Sequence, residues 1–247
     1  MGLMVVTATI TISIASYVFA RWVSGAPNDR HKDMAGAMVA RIGALHGLII
    51  ALVFAQEMTA YQRIETQTAV EASAIADVYN DAARYDPVAL APLQRDMRAY
   101  LDVVRVKEWA RLGAGEGLEP EAWAHWENAY DIVLDLVPAN PRQESLRDHM
   151  LSSIHTIAAS RDQRDGEAIT MVAGFFWLAA ITGVILIAIG YYIFPPERQN
   201  LVLLALFSGY TGAILFLIYG FSNPFSPPMS LSPLPFDRLA VALGAGP

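Results

Sequence analysis

Four long apolar stretches divide the chain, at residues 1–20, 34–55, 169–194 and 201–221. Each is near or above the roughly 20 helical residues that cross a hydrocarbon core of about 30 Å. Three of them contain no charged side chain, whereas 34–55 contains Arg41 and His46. The pattern predicts four transmembrane helices, of which the second is the polar one.

The second apolar stretch continues into charged sequence without a helix-breaking signal. No Pro or Gly lies between Gly47 and Pro87, so one helix is predicted to run to about residue 86. Steps of three and four residues give it a single stripe, formed by His46, Ile50, Val53, Glu57, Tyr61, Ile64, Thr68, Ala72, Ile75, Tyr79 and Ala82.

Residues 56–168 are predicted to be helical throughout, with breaks near Pro87, at the glycines of 113–117 and at the prolines of 138–141. Each helix after the first has an apolar stripe: Leu93, Met97, Leu101 and Val104; then Trp123, Trp126, Tyr130, Val133 and Val137; then Leu146, Met150, Ile154 and Ile157. Stripes of this kind predict an antiparallel helical bundle.

The predicted fold is therefore an all-α integral membrane protein, with an extramembrane antiparallel helical bundle between transmembrane helices 2 and 3. The predicted boundaries are 1–55 for helices 1 and 2, 56–168 for the bundle and 169–221 for a transmembrane hairpin. Residues 222–247 complete the chain as a Pro-rich, extended tail.

Charge is concentrated in the bundle. The whole chain has 24 acidic residues, 17 Lys and Arg residues and a net charge of -7. Residues 56–168 contain 20 of the acidic residues but only 11 of the Lys and Arg residues, so this segment is acidic. An acidic domain argues against a nucleic-acid partner, because phosphate binding requires positive charge.

Signals for enzymatic chemistry are absent from the sequence. The chain has no Cys, which excludes disulfides, thiolate catalysis and Cys-based metal sites. It has no phosphate-binding glycine loop, no nucleophile elbow and no His pair at metal-ligand spacing. We therefore expect no enzyme activity, no cofactor and no metal site.

Several short motifs resemble the bestrophin-like domain family of bacterial membrane proteins. They are the run from His31 to Gly36, Glu71-Ala72 followed by Tyr79, Arg98 with Tyr100, Glu108-Trp109, the pair Arg161 and Arg164, and the tail residues Asn223, Pro224, Phe225, Ser232, Pro233, Pro235 and Phe236. The resemblance covers nearly the whole chain. It implies kinship with bestrophins, pentameric channels for monovalent ions whose second membrane helix lines the pore. It also implies a bacterial inner-membrane location with the bundle in the cytoplasm.

The polar second helix and the resemblance together favour a homo-oligomeric ion channel. The predicted pore-lining residues are His46, Ile50, Val53, Phe54, Glu57 and Tyr61. Ile50, Val53 and Phe54 are predicted to form an apolar constriction, and Glu57 and Tyr61 a mouth. Two alternatives remain open: the same stripe packs within one subunit, or the protein is a membrane-anchored sensor or an accessory subunit of a larger membrane assembly.

Overall fold

The computed structural model describes residues 1–25, 32–169 and 174–244, and these residues form helices and connecting turns without a strand. The helices are α1 Gly2–Ser24, α2 Lys32–Tyr85, α3 Ala91–Val103, α4 Trp109–Ala114, α5 Pro120–Leu134, α6 Pro141–Ile169, α7 Gly174–Gly190, α8 Arg198–Phe221 and α9 Leu234–Ala242. The prediction of an all-α protein is confirmed. Within the described ranges, four helices are long and apolar enough to cross a membrane, namely α1, α2, α7 with the turn that follows it, and α8. Residues 170–173 of the third predicted span lie outside the described residues.

The chain divides into two compact units. Unit 1 comprises Met1–Thr59 and Met171–Ser222, and unit 2 comprises Ala60–Thr170 and Asn223–Pro247. Helix α2 contributes residues to both units.

In unit 1, α1 packs against both α7 and α8, while α7 and α8 contact each other little. The contact between α1 and α8 is close at Gly212, where an added Cβ would lie 2.1 Å from Thr9 Oγ1. At the other end of α1, the Tyr17 hydroxyl donates a 2.9 Å hydrogen bond to the Phe194 carbonyl, and Arg21 donates to the same carbonyl at 3.0 Å. The main partner of α8 is thus α1. The sequence had predicted a hairpin of the last two spans and no contact of α8 with α1.

In unit 2, the predicted stripes of the second and fourth bundle helices form the core. The fully buried members are Leu93, Met97, Leu101, Val104, Met150, Ile154 and Ile157. The stripe predicted for the third helix is only partly correct. Val137 is 88% exposed, because α5 ends at Leu134, three residues before it, and the residue that precedes Pro138 disfavours the helical conformation. The fully buried positions of α5 are Ala122, Ala129 and Val133, of which Val133 belongs to the predicted stripe, and the aromatic residues of the stripe are half-buried.

A π-helical segment, Val104–Glu108, lies between α3 and α4. The extra residue in its turn shifts the inward face of the helix, and Glu108 becomes fully buried. The helical run ends at Gly115, whose φ of 73° lies in the left-handed region that favours glycine. This stop was predicted, whereas the π segment was not.

The sequence predicted an extended C-terminal tail, but the tail is partly helical. Its second half contains α9, which begins after Pro233 with Pro235 in its first turn, a position where the ring suits a helix. The preceding segment is held to the α4 region, because Ser226 Oγ donates to the Gly113 carbonyl at 2.7 Å and Trp109 Nε1 donates to the Leu231 carbonyl at 2.9 Å. The tail therefore forms part of unit 2.

Candidate functional site

The stripe predicted to line a pore begins in unit 1, on α2. His46, Ile50 and Glu57 are only 5%, 6% and 7% exposed. Val53 and Phe54 are half-buried and pack against the core of the unit. The structure therefore places these five residues on the inner side of α2.

Helices α7 and α8 of the same unit cover this stripe. An added Cβ at Gly183 would lie 2.1 Å from His46 Nδ1, so the imidazole lies directly on the α7 backbone. Ile50 belongs to an apolar cluster with residues of both helices, and the Phe54 ring contacts Phe221 edge-on with centroids 5.7 Å apart. A glycine at position 183 permits this approach, because any side chain there would meet the His46 ring.

This arrangement corresponds to packing within one subunit, the alternative that the sequence had left open. Tyr61, which belongs to unit 2, is half-buried. The outer side of α2 is consequently the surface to consider for function in unit 1.

That outer side is rich in small and apolar residues. A series of exposed small residues runs along one flank: Ala37, Ala40, Ala44, Gly47, Ala51 and Ala55. Beside it stands a row of exposed leucines, Leu45, Leu48 and Leu52, which are 63%, 56% and 63% exposed. The hydrophobic pattern alone could not distinguish the two sides, since both are apolar within a membrane span.

A cavity of about 270 Å³ lies between α2 and α8 in unit 1. Its walls are mainly apolar, and its lining residues are His46, Gly47, Ile50, Ala51, Phe54, Phe207, Tyr210, Thr211 and Ile214. His46 Nε2 is buried and has no hydrogen-bond partner among the described residues. Among the residues that the structure describes, no Asp, Glu, Lys or Arg lines this cavity.

Unit 2 contains a buried cluster of four charged side chains. Glu71 comes from α2, Glu108 from the π segment, and Arg161 and Arg164 from α6, and all four are at most 1% exposed. The spacing of the two arginines places them on one side of α6. Because two carboxylates face two guanidinium groups, the ionised cluster has no net charge.

Hydrogen bonds join the members of this cluster. Arg161 donates to Glu108 Oε2 from Nε at 3.0 Å and from Nη2 at 2.5 Å. Arg164 donates to Glu108 Oε1 at 2.6 Å and to Glu71 Oε2. The Tyr100 hydroxyl on α3 donates to Glu71 Oε1 at 2.6 Å. The cluster therefore ties together α2, α3, the π segment and α6.

Aromatic rings cover the guanidinium groups. The Arg161 Cζ atom lies 4.5 Å from the centroid of Trp123, and the Arg164 Cζ atom lies 5.6 Å from Trp109 and 5.7 Å from Phe236. Cations over aromatic faces are attracted by the ring quadrupole, most strongly when desolvated. Because Phe236 belongs to α9, the C-terminal helix forms part of this cover.

The pKa values of the two carboxyl groups are shifted in opposite directions. Burial raises the pKa of Glu71 above its ordinary value, although Arg164 and Tyr100 act in the opposite direction. Burial also acts to raise the pKa of Glu108, but hydrogen bonds from Arg161 and the charge of Arg164 outweigh it and leave this pKa below its ordinary value. Glu71 is therefore the carboxyl group of the cluster that binds a proton more readily.

The sequence offered a signal for this cluster without revealing its role. Glu71, Tyr100, Glu108, Arg161 and Arg164 all belong to the motifs of the family resemblance, yet they are far apart along the chain. Only the folded bundle brings them together. In the described ranges, no group of three or more His, Asp or Glu side chains is arranged to hold a metal ion.

Solved structures provide a comparison for the fold. A mutant of a bacterial bestrophin homologue from Klebsiella pneumoniae has a TM-score of 0.72 and 11% identity, with 98% of each chain covered. A crystal structure described as a membrane protein variant has a TM-score of 0.70 and 10% identity, and covers 98% of this chain and 97% of its own. At such low identity these likenesses establish the fold alone. A search of curated proteins finds no match.

The family model for the bestrophin-like domain matches residues 6–236. The match spans all the helices described above except the start of α1 and most of α9, and it includes every member of the buried cluster. The chain belongs to the bestrophin-like domain family.

Proposed function

We propose that this protein is the subunit of a homo-oligomeric, bestrophin-like ion channel in which the outer side of α2 lines the pore. Membership of the bestrophin-like family supports a channel, as does the fold shared with a bacterial bestrophin homologue. Monovalent ions are the proposed substrates, the bacterial inner membrane the proposed location and the cytoplasm the proposed side of the bundle. The pentameric state of bestrophins is the proposed assembly.

The observation that carries this proposal is the exposure of α2. Only 11% of the apolar 18-residue segment of α2 is buried within the chain. The corresponding buried share is 22% for α1 and 33% for each of the other two candidate spans. Most of the surface of α2 is thus left for contact with other molecules. A helix that lines a central pore and contacts two neighbouring copies requires this degree of exposure.

The small residues on the outer side favour other helices over lipid as neighbours. Alanine and glycine let helix backbones approach closely, and interfaces between membrane helices are enriched in them. The flank from Ala37 to Ala55 is therefore the proposed contact between copies of α2.

The leucine row supplies the proposed constriction. In a ring of subunits, Leu48 and Leu52 of every copy would face the axis and form an apolar section that gates by dewetting. This assignment moves the constriction from Ile50, Val53 and Phe54 to the opposite side of α2. The proposed mouth likewise does not include Glu57, because its side chain is only 7% exposed within one chain.

Reconstitution tests the proposal. The detergent-purified protein should be an oligomer by light scattering, and liposomes that contain it should conduct monovalent ions. Leu52→Ser should increase the resting flux severalfold, because a hydroxyl group at the constriction favours water.

The matched control is Leu178→Ser on α7, where the leucine is 69% exposed but lies on another helix. This variant should conduct like the wild type. A monomeric particle would refute the proposal, as would an assembled protein that conducts no ions in either the wild type or Leu52→Ser.

A further inference from the structure

His46 is a buried imidazole in an apolar part of the protein. It lies in the apolar stretch of α2, and its side chain is 5% exposed. Its Nε2 atom is buried and has no hydrogen-bond partner in the part of the chain that the structure describes. Buried polar side chains are nearly always hydrogen-bonded, so this exception requires an explanation. Ionisable residues within membrane spans, in particular, commonly mark functional sites.

The two helices that cover His46 do not supply the partner. On α7 the ring contacts Gly183, which has no side chain. The ring atoms nearest to an added Cβ there are Nδ1, Cε1 and Cγ, so Nε2 lies farther from this contact. On α8 the Thr211 hydroxyl donates to the Phe207 carbonyl at 3.0 Å, and Tyr210 is 70% exposed. The place for a partner is therefore the cavity between α2 and α8 that His46 lines.

This cavity is too large and too apolar to suit water alone. Its volume is about 270 Å³, whereas a water molecule occupies about 30 Å³ in the liquid. A buried water needs about two to four polar partners, and among the described lining residues only His46, Tyr210 and Thr211 have polar side chains. An apolar cavity of about 150 Å³ is enough to hold benzene. The volume and the walls thus suit one small, mostly apolar molecule.

We propose that this cavity binds a small, neutral, mostly apolar molecule with one hydroxyl group, an alcohol or a phenol, whose hydroxyl group is hydrogen-bonded to His46. A hydroxyl group both donates and accepts, so it pairs with the imidazole in either tautomer. The apolar part of the ligand contacts Ile50, Phe54 and Ile214. A lipid acyl chain or an apolar side chain of a second copy would fill the space but leave the imidazole unpaired. The proposal concerns unit 1 alone and does not require the protein to conduct ions.

Photolabelling of the full-length protein in liposomes tests the proposal. The probe is hexanol with a photoreactive diazirine in its chain, and mass spectrometry locates the adducts after irradiation. We expect adducts on lining residues of α2 and α8, such as Phe54 and Phe207. Excess p-cresol should reduce this labelling by about threefold more than p-xylene at the same membrane concentration, because p-xylene has a methyl group in place of the hydroxyl group.

Two variants separate the hydrogen bond from the volume of the cavity. His46→Phe keeps an aromatic ring but removes both ring nitrogens, so p-cresol should compete no better than p-xylene in this variant. Ala51→Phe fills the cavity from the exposed side of α2 and should abolish the labelling. The matched control is Ala44→Phe, because Ala44 is an exposed alanine on the same flank of α2 that does not line the cavity. Its labelling should equal that of the wild type.

Three results would overturn the proposal. The first is an assembled wild-type protein without adducts between α2 and α8, since lipid or a second copy would then occupy the cavity. The second is equal competition by p-cresol and p-xylene in the wild type, which would mean that His46 binds no hydroxyl group. The third is labelling that persists in Ala51→Phe, which would place the probe outside the cavity.

Discussion

Arg161 and Glu108 form a hydrogen-bonded ion pair whose side chains have no exposed surface. Each charge alone would be costly to bury, and pairing offsets part of that cost. Arg161 also donates to the Glu119 carbonyl at 2.6 Å, while the Glu119 backbone N–H donates to Glu108 at 3.0 Å. The pair thereby fixes the start of α5 against α6 and the π segment.

Removal of one member of this pair should destabilise unit 2. Glu108→Ala leaves two buried guanidinium groups short of a partner, and we expect it to lower the free energy of unfolding by about 3–5 kcal/mol. Unfolding of the protein in mixed micelles with increasing SDS, followed by far-UV circular dichroism, measures the change.

Two further variants make this prediction specific. Glu127→Ala on the exposed side of α5 should change the free energy of unfolding by less than about 0.5 kcal/mol. Glu108→Leu combined with Arg161→Leu should cost less than the sum of the two single changes, because neither charge is then left alone. Additive costs would show that the pair is not a unit.

Stability should depend on pH through Glu71. Its pKa in the folded protein is raised above the ordinary value of 4.5, so the folded state binds this proton more tightly than the unfolded chain. The stabilisation from protonated Glu71 is therefore complete below pH 4.5 and is lost as the pH rises through the raised pKa. Glu71→Gln should remove this part of the pH dependence, which unfolding measurements at a series of pH values would detect.

Glu108 contributes with the opposite sign. Its pKa is lowered, so its stabilisation is present above pH 4.5 and is lost as the pH falls through the lowered value. The Glu71→Gln protein should retain this acid destabilisation. If the variant keeps the full pH dependence of the wild type, the titrating group is not Glu71.

Contact between α2 and α7 in unit 1 requires a glycine at position 183. Gly183→Ala would place a methyl group 2.1 Å from His46 Nδ1, so the imidazole or the helices must shift, at a cost of about 1–3 kcal/mol. Thermal unfolding in detergent would show the loss as a lower midpoint. His46→Ala in the same chain should offset part of it, because the clashing ring is gone.

Gly43 provides the comparison for this prediction. An added Cβ at Gly43 meets no atom within 4 Å, so Gly43→Ala should leave the midpoint almost unchanged. Alanine has a higher helix propensity than glycine, so propensity alone would not lower the midpoint at either position. A loss at Gly43 equal to that at Gly183 would mean that the contact with His46 is not its cause.

Much of the fold could be predicted from local patterns. The stripe Leu93, Met97, Leu101 and Val104 predicted the buried side of α3, and Gly115 marked the end of the helical run. Such signals are reliable because helix periodicity and glycine conformation act over a few residues. The tail was harder, since its prolines suit both an extended chain and the first turn of a helix, and α9 forms where Phe236 and Ala240 can be buried.

The candidate site depended on contacts between distant parts of the chain. By itself, the sequence determined that α2 is long, apolar in its first part and striped, because these properties depend on neighbours three and four residues apart. Only the tertiary structure decided which side of α2 is covered. An apolar side chain in a membrane span can contact a neighbouring helix, lipid or the axis of a constriction equally well, so its sequence position does not distinguish them. The same holds for Glu71, Glu108, Arg161 and Arg164, whose pairing requires helices separated along the chain to pack together. In both cases burial by another helix, which no local pattern encodes, decides the role of the residue.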